Sequence, residues 1–157
     1  MDKTTLIVFS DDLDKVLAAF NIATGSASMG MEVTMFFTFW GLNVIRKDKP
    51  SKISSNWMKR LLGMMNLGGA DRLKLSKFHM VGIGTGMMKM LMKKSNMPSI
   101  KEMISLSREL GVKMVACTTT MEIMGIHKED LIPEVDIIAG VATYLENAKE
   151  SKVNLFI

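Results

Sequence analysis

Two β-α-β patterns at opposite ends of the chain constrain the fold most. Near the start, Leu6-Ile7-Val8-Phe9 is an unbroken apolar run inside a strand predicted from Thr4 to Ser10. Such runs suit strands covered on both faces, as in a parallel sheet. Leu13, Val16, Leu17 and Phe20 then keep helical spacing, predicting a helix from Leu13 to Met29 that Ser10 or Asp11 can cap and Gly30 can end. Glu32 to Thr38 reads as a second apolar strand, and a parallel pair joined this way takes a right-handed crossover. The last third repeats the alternation. Ser99 caps a helix from Ile100 to Leu110, Gly111 stops it, and Val112 to Ala116 is a strand. A short helix follows at about Thr119 to Met124, then a strand at Asp136 to Ile138, a helix at Gly140 to Glu150 and a strand at Val153 to Phe156. This order predicts a three-layer α/β/α sandwich around a mainly parallel sheet of about five strands.

Between the halves, Arg46 to Met80 has no clean strand and reads as a Met-rich insertion. Within it Trp57 to Asn66 is amphipathic, with Lys59 and Arg60 set among Trp57, Met58, Leu61, Leu62, Met64 and Met65, and Gly68-Gly69 breaks the pattern. It carries more apolar residues than a monomer surface normally shows, which predicts a flap or a contact in a homo-oligomer. The mixture also suits a protein partner or peripheral contact with a membrane surface. Filling of irregular core gaps is one reading of the 17 methionines, which the sequence alone leaves open.

A chain of 157 residues can bury a full core as one domain, 1–157, and 48% hydrophobic with 23% charged residues places it among globular proteins. The net charge of +4 lacks the clustered basic stripe of a nucleic-acid binder, so no nucleic-acid partner is expected. The first residues do not show the three parts of a signal peptide. The cleanest apolar run, Val33 to Ile45, is short of the roughly 18–20 residues that span a bilayer. A soluble, cytoplasmic protein is the expectation, and a lone cysteine fits a reducing compartment.

That cysteine, Cys117, stands where a buried strand gives way to a helix, at the strand end where α/β sheets collect chemistry. Thr119 with Glu122 matches a capping box, and a helix beginning beside the sulfur supplies amide groups and a dipole that favour thiolate. Position alone equally admits a buried thiol acting as a small apolar residue. One Cys with distant His79 and His127 offers no structural-metal spacing, and no Cys-x-x-Cys pair exists for dithiol redox work, so no metal is expected. No cofactor is expected either, with nucleotide or flavin binding at the glycine-rich turn of Gly82 to Gly86 as a third possibility. His127 reads as an exposed helix cap. His79 precedes a possible strand from Met80 to Ile83 and can reach the same sheet edge as a base. Gly82-Ile83-Gly84-Thr85-Gly86 ahead of a helix from Met87 to Lys94 is a glycine-rich turn. Close backbone packing explains it, and its functional use would be to line the Cys117 pocket through Gly84 and Gly86. Phe36, Phe37 and Phe39 read as core, whereas Trp40 beside Gly41 is placed at the pocket edge, where an apolar wall would shield a persulfide.

The string from Ala116 through Ile126, Ala-Cys-Thr-Thr-Thr-Met-Glu-Ile-Met-Gly-Ile, resembles the cysteine motif of the DsrE/DsrF/DsrH-like sulfur-relay family, in particular its Met-rich, peroxiredoxin-labelled subgroup. Phe36-Phe37-Thr38-Phe39-Trp40-Gly41-Leu42, Asp71-Arg72-Leu73 with Leu75-Ser76-Lys77, and Val141-Ala142-Thr143-Tyr144-Leu145 resemble it too, in order along nearly the whole chain. The resemblance implies a flavodoxin-like sandwich that forms homo-oligomers. It implies that Cys117 receives sulfane sulfur from a small donor, as a persulfide or thiosulfonate, and exchanges it with a TusA-like carrier. On that view Thr118, Thr119 and the helix amides stabilise the thiolate. The protein is then a sulfurtransferase or a stoichiometric carrier. Peroxide reduction fits poorly, because no second cysteine is present to resolve a sulfenic acid. The alternative is a non-catalytic interaction or membrane-surface protein that works through the insertion.

Overall fold

The computed structural model describes residues 1–48 and 56–157; the stretch of the predicted insertion at 49–55 lies outside them. The strands are β1 (Lys3–Val8), β2 (Glu32–Phe37), β3 (Lys113–Cys117), β4 (Ile137–Ala139) and β5 (Val153–Phe156). The helices are α1 (Leu13–Ser28), α2 (Trp57–Met65), α3 (Ile83–Lys94), α4 (Ile100–Glu109), α5 (Thr118–Met124) and α6 (Val141–Ala148). Among the described residues the strands of the sheet all pair in parallel, and the 5-stranded sheet runs in the order β4-β3-β2-β1-β5. Helices lie on both sides of it, as the alternating pattern predicts. The flavodoxin order would set β1 between β2 and β3; here β1 lies between β2 and β5. The likeness therefore holds at the level of the layered parallel sheet.

Handedness explains which helix covers which face. Steps from β1 to β2 to β3 move one way across the sheet, so right-handed crossovers put α1 and α4 on the same face, where they pack together. The return from β4 to β5 moves the other way and places α6 on the opposite face, against β1. Strand alternation divides the side chains accordingly. Leu6, Val8, Val33, Met35, Phe37, Met114 and Ala116 face α1 and α4 in the main core, while Phe36, Val115 and Cys117 join Tyr144 of α6 in a smaller cluster. The Phe36 and Tyr144 rings sit 5.5 Å apart between centroids.

Element boundaries match the predicted ones closely, with local corrections. Asp12, not Ser10 or Asp11, takes the N-cap position of α1. Ser10 instead accepts the Asp12 N–H at 3.0 Å, and the Asp11 carboxylate accepts from Asn43 at 2.8 Å. Ser99 forms the expected capping box with Glu102 at α4. Beyond β2 the chain turns through a 3-10 segment, Phe39–Ile45, laid across the end of β1. Gly41 permits this: a Cβ there would stand 1.9 Å from the Val8 carbonyl oxygen. Among the described residues the insertion holds no strand, only α2 and a 3-10 turn at Ala70–Arg72.

The predicted strand at Met80 to Ile83 is absent. The chain makes a 3-10 turn at Met80–Gly82, and α3 begins at Ile83 instead of Met87. Phe78, Met80 and Val81 all hold positive φ, which no extended strand allows.

Candidate functional site

Cys117 is the last residue of β3 and pairs with Ala139 of β4. It is also the N-cap residue of α5, so strand and helix meet at the sulfur. The predicted capping box does not form, because α5 starts at Thr118 and Cys117 occupies the position expected for Thr119. An N-cap side chain faces the amides of the second and third helical residues. Here these belong to Thr119 and Thr120, which make no capping hydrogen bond to the sulfur but favour its thiolate electrostatically. The helix α6 begins at Val141, just beyond Ala139, and brings a second helix start to the same edge.

Hydroxyl groups complete the surroundings. Thr120 Oγ1 donates to Cys117 Sγ at 3.6 Å, and Thr38 Oγ1 lies 3.0 Å from Thr120 Oγ1. Thr38 reaches this place because β2 and β3 are neighbours with Phe37 opposite Ala116, which sets the next residue, Thr38, beside Cys117. Burial pushes the Cys117 thiol up, since only 6% of the residue is exposed. The Thr120 amide, the Thr38 and Thr120 hydroxyls and the Thr119 amide outweigh it, and the thiol ends below its ordinary range. The site thus favours a nucleophilic thiolate at a nearly covered position.

The other predicted residues are distributed unevenly. Thr118 is half-buried as the first residue of α5, and Thr119 is exposed but contributes its amide. Trp40 is 42% exposed and lines a small cleft with Arg46, Leu62, Gly63, Asn66 and Met124, at the far end of α5 from the sulfur. Gly84 belongs to α3, where a Cβ would stand 1.6 Å from the Phe78 carbonyl oxygen, so its role there is close packing of the turn. Gly86 is an exposed position of α3 with open space beside it. His79 Nδ1 lies 2.8 Å from Thr85 Oγ1, which ties it to α3. His127 is an exposed cap on the turn Lys128–Asp130.

Thr38 and Thr120 are the site residues that sequence reasoning missed. Thr120 was within reach, since it is the third helical residue once the helix is started at Thr118. Helix α2 packs on α5, with Lys59 Nζ donating to the Glu122 carbonyl at 2.7 Å. No group of three or more His, Cys, Asp and Glu able to hold a metal occurs among the described residues.

The model of the DsrE/DsrF/DrsH-like family matches residues 1–156. The chain belongs to the DsrE/DsrF/DrsH-like family. Within reach of this DsrE-like chain is the uncharacterised protein YrkE of Bacillus subtilis (strain 168), 43% identical over 99% of this chain and 96% of that protein. A second relative, the sulfur carrier protein DsrE2 of Allochromatium vinosum, is 34% identical over 99% of this chain and 98% of its own length. A solved structure of a protein of unknown function from Methanobacterium thermoautotrophicum aligns over the whole of both chains with a TM-score of 0.56 at 16% identity, a likeness of fold.

Proposed function

We propose that this protein accepts sulfane sulfur on Cys117 and passes it on. The observation that carries the reading is the thiol at the N-cap of α5, where Thr120 Oγ1 donates to it at 3.6 Å, Thr38 Oγ1 lies against Thr120 Oγ1, and the helix start favours the thiolate. The Cys117 thiolate attacks the terminal sulfur of a donor persulfide, R–S–SH. The new Cys117 S–S bond forms as the donor S–S bond breaks, and RS⁻ leaves with the electron pair. Cys117 then holds –S–SH, and the donor thiolate takes up a proton from solvent. An acceptor thiolate reverses the step by attacking the outer sulfur and releasing Cys117 as thiolate. A persulfide is more acidic than a thiol, so donors arranged for the thiolate also suit the loaded state. A thiosulfonate on the same sulfur would place its negative charge at the edge where α5 and α6 both begin.

A TusA-like carrier is the proposed acceptor, within a homo-oligomeric, cytoplasmic protein. Helix α2 is its proposed docking face: it buries none of its residues, exposes Trp57, Met58, Leu61, Leu62, Met64 and Met65, and rests on the helix that holds the sulfur. To test the reading, wild type and Cys117→Ser are incubated with a polysulfide or thiosulfonate donor and their intact masses taken. A donor-derived adduct is expected on wild type alone. An adduct on both, or on neither, would sink the proposal.

A further inference from the structure

The turn ahead of α3 and one stripe of α3 expose apolar residues that the relay site does not use. Ile83, Met87, Met90 and Leu91 follow helical spacing on one stripe of α3, and all are exposed. The opposite side of the helix buries Thr85 and Met92. Just before it, Phe78 is 79% exposed and Val81 is 99% exposed. Phe78, Met80 and Val81 hold φ of 57°, 44° and 55°. A β-branched residue in the left-handed region is an uncommon and costly conformation. Here it presents a valine wholly to the outside.

Charge accompanies this surface. From Arg72 to Ile100 the sequence holds Arg72, Lys74, Lys77, Lys89, Lys93 and Lys94 and no Asp or Glu. Lys94 ends the apolar stripe, and Lys89 Nζ donates to the Asp71 carbonyl at 2.6 Å. Among the described residues, the ammonium groups of Lys74, Lys77, Lys93 and Lys94 have no acidic partner. No helix among the described residues is long and apolar enough to cross a membrane.

We propose that the segment from Phe78 to Lys94 docks the protein on a bilayer rich in anionic lipid. Val81 and Phe78 enter the headgroup boundary, the stripe from Ile83 to Leu91 lies along it, and the lysines meet lipid phosphates. Exposed apolar residues set in a stretch of chain whose lysines have no acidic partner among the described residues suit a deformable anionic surface. This surface is separate from α2 and does not depend on the relay chemistry of Cys117.

The test is co-sedimentation of the full chain with vesicles of phosphatidylcholine alone and of phosphatidylcholine mixed with phosphatidylglycerol. Wild type is expected to pellet with the mixed vesicles only, and less so as salt rises. Val81→Asn with Leu91→Gln, and separately Lys93→Glu with Lys94→Glu, should each weaken pelleting by about tenfold or more. Lys128→Glu with Lys149→Glu, an equal change in charge elsewhere, should pellet like wild type. Val81→Gly keeps folding in view: it removes the apolar tip and relieves the strained φ, so its Tm should rise while vesicle binding falls. Failure of wild type to pellet, undiminished pelleting of the Val81→Asn variant, or equal loss in the Lys128→Glu control would overturn the proposal. So would sedimentation without lipid showing self-association that Val81→Asn with Leu91→Gln abolishes, which would assign the stripe to a second copy of the chain.

Discussion

The two faces of the sheet are built to different depths. Under α1 and α4, Leu6, Val8, Val33, Met35, Phe37, Met114 and Ala116 are essentially inaccessible. Under α6 the cluster is Phe36, Val115, Cys117 and Tyr144, and at the sheet edges Ile137 is 46% and Phe156 67% exposed. Topology causes the difference: among the described residues the crossovers moving along the sheet load the first face, and one short return helix, α6, covers the second. The deep face supplies the fold's stability. The thin face lets a thiol be almost covered yet stand at an edge where a donor can arrive.

The largest test of this contrast is Phe37→Ala, which leaves a cavity in the deep face. It should cost about 3–5 kcal/mol in urea unfolding. Tyr144→Ala on the thin face should cost less, about 2 kcal/mol, because the surroundings are partly open and can relax. It should also speed alkylation of Cys117, which Phe37→Ala leaves unchanged in whatever fraction stays folded. Equal costs at the two positions would erase the distinction.

Smaller in energy, but closer to the chemistry, is Thr120→Val. It removes a hydroxyl donor to the sulfur without changing shape, and should slow alkylation at neutral pH by about fivefold to tenfold. Thr38→Val should act in the same direction, more weakly, while Thr118→Val should not. The pH dependence has a definite sign. Because the folded thiol lies below its ordinary range, the stabilisation it brings is complete above the unfolded thiol's pKa and is lost as pH falls through the folded one. The stability gap between wild type and Cys117→Ala should therefore widen as pH rises. A gap that narrows would mean that burial outweighs the donors.

How much of this the sequence displayed depends on whether a feature is local. The apolar run at Leu6 to Phe9, the capping box at Ser99 and the position of Cys117 are all carried by neighbours in the chain. The place of Thr38 beside the sulfur is not, since it depends on β2 lying next to β3. The start of α5 departs from the predicted one for a related reason. Pairing of Cys117 with Ala139 ends β3 at the cysteine, so the helix begins before the Thr119 and Glu122 match could cap it. At Met80 to Ile83 the alternation of apolar residues with glycine imitates a strand. The left-handed φ values that make it a turn leave no mark in bulky side chains such as Phe78 and Val81. Gly84 was noticed for its backbone, and what it does is admit the Phe78 carbonyl.

Following one labelled sulfur atom shows whether Cys117 both receives sulfur and gives it up. Wild type is loaded from an isotopically labelled polysulfide, freed of donor, and mixed with a reduced TusA-like carrier, and the masses of both proteins are followed over time. The label is expected to leave Cys117 and appear on the carrier cysteine, with Cys117→Ser neither loading nor transferring. Label that stays on Cys117, or that reaches the carrier equally well through Cys117→Ser, would contradict it.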